Sequence, residues 1–250
     1  MPLIILPILY ALLGWLVGIA INHAADILPK RQSVLQRPHC SVCKTPRPYL
    51  AWSVLVGYLT GHQKCAECGQ QRESLIRSII IELITPVFFI FLWQRYGYTP
   101  RLFIISLYTA ILILITVTDL ERRLIFNVVI FPSILFALAA AFFTPGLPWP
   151  IALVGGASGF VISYLAALLS RGGLGGGDVT LSTFLGLIVG FPYILLSLGF
   201  GVFLGGFGAF LLLITRRVGL KSFIPYGPFL TTTGWIMLVW GEGIWQHYFW

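Results

Sequence analysis

The amino-acid sequence predicts an all-α polytopic membrane protein with about eight transmembrane helices and one small insert between the first and second. Two observations support this fold class. Of the 250 residues, 58% are hydrophobic and only 10% are charged, and the mean hydropathy is +0.91, which lies outside the range of soluble globular domains. The charged residues are also gathered in short segments between long apolar runs, which is typical of chains that cross a bilayer several times.

Uncharged runs locate the spans, because a helix needs roughly 20 apolar residues to cross about 30 Å of hydrocarbon. They predict helices at about 3–21, 75–94 and 102–118, two within 124–170, two within 179–215, and one at about 222–241. The first run has no basic n-region and no small-residue cleavage site, so we interpret it as a span and not as a signal peptide. The predicted organisation is a first transmembrane helix over 1–21, an insert over 22–74 and a helix bundle over 75–250.

Charge placement predicts the orientation. Eight spans put both termini on one side, and alternate loops then share a face. Only Arg95 and Arg101 fall on one face, and the other 14 basic residues fall on the opposite face. By the positive-inside rule, the insert is cytoplasmic and both termini are outside. Because the basic residues flank spans, their excess over acidic residues indicates a lipid bilayer as the partner and no nucleic acid.

Small residues recur four positions apart in several predicted spans. The pairs are Gly14/Gly18, Gly155/Gly159, Gly186/Gly190 and Gly201/Gly205. This spacing is typical of helices whose backbones approach closely in the membrane. We therefore expect these glycines to pack helices together and to take no part in chemistry.

All four cysteines lie in the insert. They form two C-x2-C pairs, Cys40/Cys43 and Cys65/Cys68, with 21 residues between the pairs. Two such pairs predict a tetrahedral four-thiolate zinc site with no open position for a reacting water, so the metal is structural. An insert of this size buries little core, and metal binding would supply folding energy. Two disulfides are the alternative, which a reducing cytoplasm disfavours.

Three of the eight carboxylates lie at or inside apolar segments, where an ionisable group suggests a functional site. Asp119 ends the third predicted span, Asp178 follows a glycine run and opens the sixth, and Glu82 lies within the second. The predicted topology places Asp119 and Asp178 at the cytoplasmic boundary of the membrane. Two carboxylates close together in a low-dielectric site share a proton, which is what an aspartyl protease requires. Gly175 and Gly177 would let an extended substrate approach Asp178.

Simpler interpretations of both aspartates stay open at this point. Asp119 can pair with Arg122 or Arg123 at the end of a helix, and Asp178 can cap the N-terminus of a helix. A membrane transporter or a secretion assembly factor that handles protons or ions would also place acids at membrane level. Spacing alone does not choose among these alternatives.

The ordered set of motifs resembles the type IV prepilin peptidases, membrane aspartyl proteases of the G-x-G-D class. Gly18 to Asn22 followed by Leu28-Pro29 is similar to the first-helix motif of the family. The two C-x2-C pairs, with Trp52 between them and Glu82-Leu83 after them, resemble its cytoplasmic loop. Asp119 matches the first catalytic aspartate, Gly175-Gly176-Gly177-Asp178 matches G-x-G-D, and residues 224–230 look like the closing motif.

This resemblance implies a specific activity. Such enzymes remove a short basic leader from prepilins and pseudopilins at the cytoplasmic face of the bacterial inner membrane, and many then methylate the new N-terminus with S-adenosylmethionine. The resemblance makes Asp119 and Asp178 the catalytic pair and 75–250 the catalytic helix bundle. Asn22 and Glu82 are candidates for methyl transfer, and a buried acid that bonds a neighbouring helix is the equal alternative. The chain departs from the usual family pattern at Thr180, where lysine is common.

Overall fold

The computed structural model describes residues 2–31, 36–40, 42–62, 64–72, 74–144, 146–170, 173–215 and 225–249. Across these ranges the regular elements are helical, so the predicted all-α fold is confirmed. The α-helices are α1 Pro2–Ile27, α2 Val54–Leu59, α3 Leu75–Tyr96, α4 Pro100–Arg122, α5 Asn127–Ala141, α6 Trp149–Leu169, α7 Gly176–Val189, α8 Tyr193–Ile214 and α9 Gly227–Phe249. The short α2 belongs to the insert, and each of the other eight corresponds to one predicted span.

Five of these helices are long and apolar enough to cross a membrane: α1, α3, α4, α6 and α8. The helices α5 and α7 are apolar but have only 15 and 14 residues, which is roughly 22 Å of helix against about 30 Å of hydrocarbon. The helix α9 has 23 residues and is not among the five candidates. The count of eight spans therefore stays a prediction.

Two helices extend beyond their predicted ends, and in α1 polar side chains of the added turns find partners. The helix α1 continues past residue 21 to Ile27, since Asn22 donates to the Ser78 carbonyl at 3.0 Å and Asp26 pairs with two arginines. It gives way to a 3-10 turn at Leu28–Lys30, where Pro29 interrupts the helical hydrogen bonds. The helix α9 continues through Glu242 to Phe249, and the predicted start at 222–224 lies outside the described residues.

Contacts group the chain into two compact units, Met1–Ser106 and Leu107–Trp250. In the first unit, α1 packs along α3, and α2 of the insert packs on α3. In the second unit, α7 packs against α5, α6, α8 and α9, and nine of its 14 residues are buried. A helix enclosed by its neighbours does not need to match the thickness of the bilayer, which explains why α7 is short.

The glycine pairs lie where helices approach most closely, as predicted. A Cβ atom added to Gly155 would lie 2.3 Å from the Gly186 carbonyl oxygen, and one added to Gly186 would lie 2.1 Å from the Gly155 oxygen. At Gly14, an added Cβ would lie 2.9 Å from the Pro86 Cα on α3. Only glycine lets these backbones touch. Large apolar side chains are exposed on the opposite faces, for example Phe203 on α8 at 67%, as expected for a surface solvated by lipid.

The predicted orientation can be tested with single cysteines added at Gln70 in the insert, at Gly173 after α6 and at Leu147 before α6. Because α6 is one span, a membrane-impermeant maleimide applied to intact cells should label position 147 and leave positions 70 and 173 unlabelled until the cells are opened. Mass spectrometry separates the added sites from the native cysteines. Labelling of 147 and 173 from the same side would contradict the predicted helix count.

Candidate functional site

Asp119 lies near the C-terminal end of α4, and its side chain is buried at 6% exposure. One carboxylate oxygen, Oδ2, accepts a hydrogen bond from the backbone N–H of Gly227 at 3.0 Å. Gly227 is the first residue of α9, so the donor is one of the N–H groups that a helix leaves unpaired at its start. The positive charge of Arg123 attracts the Asp119 carboxylate, as the ion-pair alternative expects. The hydrogen bond that this carboxylate accepts comes from the start of α9.

Asp178 is the third residue of α7, and its side chain is partly buried. Its Oδ2 accepts a hydrogen bond from the N–H of Gly175, the N-cap residue, at 3.2 Å. The helix-capping interpretation of Asp178 is thus partly met, since the side chain turns back on the start of its own helix. This one donor, among the described residues, occupies only part of the carboxylate, which can accept about four hydrogen bonds.

The two carboxylates lie close enough for the charge of Asp119 to act on Asp178. Both belong to the second unit, and Tyr226, which precedes α9, also lies within electrostatic range of Asp178. Two carboxyl groups in an apolar site favour a state with one shared proton, in which one group accepts a proton from water and the other donates one. Acid and base catalysis of peptide hydrolysis requires this combination.

The three glycines before Asp178 differ in the space around them. A Cβ added to Gly177 would lie 3.0 Å from the Cβ of Ile125, which is a tight contact, whereas one added to Gly175 would lie 3.4 Å from Asp178 Oδ2, which is an ordinary contact. A Cβ added to Gly176 would meet no described atom within 4 Å. The segment therefore leaves room for an approaching molecule at Gly176, beside the Asp178 carboxylate. Thr180, at the departure from the family pattern, bonds the Gly177 carbonyl at 2.8 Å.

The four cysteines converge in the insert. Their Sγ atoms all lie within 4.8 Å of one another, and the shortest separations are 3.5 Å for Cys40 to Cys68 and 3.4 Å for Cys43 to Cys65. Zinc–sulfur bonds of about 2.3 Å in a tetrahedron place sulfur atoms roughly 3.8 Å apart. The cluster therefore fits a metal ion held by four thiolates.

The two C-x2-C segments have the same backbone structure. In each, the carbonyl oxygen of the first cysteine accepts a hydrogen bond from the backbone N–H four residues later, which is Lys44 for Cys40 and Gly69 for Cys65. The N–H of the first cysteine donates to the carbonyl oxygen five residues later, which is Thr45 for Cys40 and Gln70 for Cys65. Lys44 and Gly69 both have positive φ, 63° and 68°. Two equivalent turns that face each other make a closed ligand set. His39 and His62 instead contact their own neighbours, Arg37 and Thr60.

Glu82 on α3 is 1% exposed, and its carboxylate is fully engaged. It accepts from the Ser53 hydroxyl at 2.6 Å and from the backbone N–H groups of Val54 and Leu55 at 2.7 and 3.1 Å. Asn22 of α1 adds a fourth donor at 3.5 Å. These contacts tie the start of α2, in the insert, to α3. These contacts are the ones that the structural alternative for Glu82 predicts.

Comparison with known protein families then identifies the chain. Residues 106–210 match the model described as the type IV leader peptidase family, and residues 12–96 match the bacterial peptidase A24 N-terminal domain. The chain belongs to the type IV leader peptidase family. The first match includes Asp119 and Asp178, and the second includes the four cysteines and Glu82.

Named relatives cover most of the chain. A prepilin leader peptidase/N-methyltransferase of Bacillus subtilis (strain 168) is 25% identical over 236 residues, which is 94% of each chain. Proteins of the same name from Pseudomonas putida and Neisseria gonorrhoeae are each 27% identical, over 78% and 86% of this chain and 69% and 76% of their own. No solved structure matches the chain.

Membership of the leader peptidase family confirms the predicted family and enzyme class. It supports the aspartic peptidase prediction and not the transporter or assembly-factor alternative. With the five apolar helices, it also makes the chain a multi-pass protein of the inner membrane.

Two contributors to this leader peptidase, Gly227 and Ser53, had no predicted role. Gly227 donates to Asp119, and the sequence placed it in the closing motif over 224–230 without a function. Ser53 caps α2 and also donates to Glu82. The preference of serine for N-cap positions was the one feature of the sequence that could have predicted this role.

The role of Glu82 leads to a prediction about Glu82→Gln. An amide group replaces one acceptor oxygen with a donor, so at least one buried N–H or O–H at the start of α2 loses its partner, at a cost of about 1–3 kcal/mol. Hydrogen exchange at Val54, Leu55 and Val56 should speed up. Glu242→Gln, at an exposed acid of α9, should leave the exchange of α2 unchanged. Equal exchange rates in both variants would show that Glu82 does not hold the insert.

Proposed function

We propose that this leader peptidase is a membrane aspartyl endopeptidase that removes the short basic leader of type IV prepilins or pseudopilins at the cytoplasmic face of the membrane. One observation carries the proposal: Asp119, buried at the end of α4, interacts electrostatically with Asp178 at the start of α7. The names of the relatives, which specify prepilins, support this substrate class.

The proposed reaction uses the two aspartates as one unit. The ionised carboxylate takes a proton from a water molecule as the water oxygen bonds to the carbon of the scissile peptide, and the protonated partner gives its proton to the carbonyl oxygen. The tetrahedral intermediate then collapses with cleavage of the C–N bond: the aspartate pair gives its proton to the leaving amine and takes one from a hydroxyl group of the intermediate, which becomes the carbonyl of the new acid. The new acid and amine separate, and the pair holds one proton again.

The position of the site supports cleavage at the cytoplasmic face. Asp119 and Asp178 lie at ends of apolar helices, where a leader in water meets a pilin helix in lipid. The distribution of basic residues, 14 on one predicted face and two on the other, supports placing these helix ends on the cytoplasmic side.

We also propose a structural zinc ion in the insert, held by Cys40, Cys43, Cys65 and Cys68. Four thiolates complete a tetrahedral shell, so this metal would contribute folding energy and would not activate water. Glu82 and the pairs of Asp26 with Arg72 and Arg77 then fix the metal-bound insert to α1 and α3.

Methylation of the new N-terminus is a second proposed activity, supported by the N-methyltransferase in the names of the relatives. The donor would be S-adenosylmethionine. Asn22 and Glu82 do not fit as its ligands, because their side chains are 0% and 1% exposed and the Glu82 oxygens already have donors. We therefore assign both residues to packing between α1, α3 and the insert.

The catalytic proposal predicts that Asp119→Asn and Asp178→Asn each abolish cleavage of a model prepilin by purified protein. Asparagine keeps the shape of the side chain but can neither take nor give the proton. The double variant should be no worse than either single variant, as expected for residues that act as a unit. The measurement is the appearance of leader-free product on gels and by mass spectrometry.

The capping alternative for Asp178 makes the opposite prediction. Asparagine caps helices about as well as aspartate, so Asp178→Asn should then cleave at nearly the rate of the unaltered protein. Substantial cleavage by this variant would end the proposal that Asp178 is catalytic. Unchanged thermal unfolding would show that a loss of cleavage is not a loss of fold.

The zinc proposal predicts about one zinc per chain in purified protein by elemental analysis. Cys65→Ser removes one thiolate and should release most of the metal, and proteolysis in the insert should become faster. Thr60→Ser is the control, because Thr60 is an exposed residue of the same insert and lies outside the cysteine cluster, so this variant should keep its metal. Metal-free protein that contains two disulfides by mass spectrometry would overturn the zinc site.

A further inference from the structure

A row of polar contacts joins α4 and α9 in the second unit. The Gly227 N–H donates to Asp119 Oδ2 at 3.0 Å. The hydroxyl oxygens of Thr116 and Thr231 are 2.7 Å apart, and the Trp235 indole N–H donates to the Thr109 hydroxyl at 3.0 Å. We call these three contacts the α4–α9 ladder. Thr109, Thr231 and Asp119 are buried, at 1%, 2% and 6% exposure.

The ladder has the periodicity of two antiparallel helices. On α9 its residues are spaced by four, at 227, 231 and 235, so they lie above one another on one face. On α4 the partners run in the opposite direction, from 119 through 116 to 109. A shift of one helix along the other would break all three contacts together. The ladder therefore sets the register between α4 and α9.

A side chain at position 227 would collide with the Asp119 carboxylate and force it to move. A Cβ atom there would lie 2.6 Å from Asp119 Oδ2 and 2.9 Å from its Cγ. Glycine is needed at this position for space and not for backbone conformation, because Gly227 does not have a positive φ. Glycine lets the first N–H of α9 reach the carboxylate directly, at the positive end of the helix dipole.

We propose that Gly227 is a positioning residue for Asp119, and that the Thr116–Thr231 and Thr109–Trp235 contacts keep α9 in the register that presents its first N–H to that carboxylate. The inference deepens the proposed peptidase function. The closing segment Pro225 to Pro228 then orients one half of the catalytic pair.

The test of register uses Thr231→Val, which keeps the side-chain shape and removes the hydroxyl that reaches α4. The kcat for prepilin cleavage should fall about 10- to 100-fold with unchanged KM, because a small misplacement of a reacting group costs rate and not substrate binding. Thr232→Val is the matched control. Thr232 is exposed, and among the described residues its hydroxyl bonds the Pro228 carbonyl of its own helix. The kcat of Thr232→Val should therefore stay within about twofold of the unaltered protein.

Two results with Thr231→Val would overturn the inference. An unchanged kcat would mean that the register does not depend on the ladder. A raised KM with unchanged kcat would place Thr231 in substrate binding instead. If the unaltered protein fails to cleave any prepilin, the proposed peptidase function fails, and the contact can still be tested by stability.

That stability test combines Gly227→Ala with Asp119→Ala. In the unaltered protein, Gly227→Ala forces the added Cβ against the carboxylate and should lower Tm. In the Asp119→Ala background the carboxylate is gone and only the Cβ at position 119 remains, 3.2 Å away, so Gly227→Ala should lower Tm much less. Gly243→Ala, also on α9 but with open space around it, should behave alike in both backgrounds. An equal loss of Tm from Gly227→Ala in both backgrounds would contradict direct contact with Asp119.

Discussion

The second unit depends on how a carboxylate is accommodated among apolar helices. Lipid offers no hydrogen bonds, so a charged oxygen at membrane level needs donors from the protein. The N-termini of helices supply them, because their first N–H groups have no partner within the helix. Asp119 takes its donor from the start of α9, and Asp178 takes one from the start of α7. The arrangement of α4, α7 and α9 follows from bringing two helix starts to one pair of acids.

The acids near the helix ends fall into two groups by how many donors they have. Glu82 accepts from Ser53, Val54 and Leu55, and Asp26, which is partly exposed, pairs with Arg72 and Arg77. Each of these acids has several donors, and they hold the insert to α1 and α3. Within the described residues, Asp119 and Asp178 each accept one backbone hydrogen bond, and they interact with each other. Acids with unused acceptor capacity can exchange protons with water and substrate, whereas saturated acids can only hold structure.

The sequence predicted what depends on composition and on short spacings. Long uncharged runs located the helices, the two C-x2-C pairs located a thiol cluster, and aspartates next to apolar runs indicated an unusual site. It did not predict that Glu82 caps α2, because that contact joins segments 28 residues apart in the chain through backbone donors. The ladder was missed for the same reason: the Thr116 and Thr231 hydroxyls meet across 115 residues. The extension of α1 over residues 22–27 includes Asp26, whose ion pairs with Arg72 and Arg77 cannot be read from composition.

The central claim is that the aspartate pair performs peptide hydrolysis and needs no ion gradient. The most direct measurement is incubation of the purified protein in detergent with a full-length prepilin, followed by N-terminal sequencing of the product. The account predicts one cleavage between the basic leader and the hydrophobic helix, in the absence of any membrane potential. An intact prepilin in detergent, together with proton-driven flux by the same protein in sealed vesicles, would contradict it.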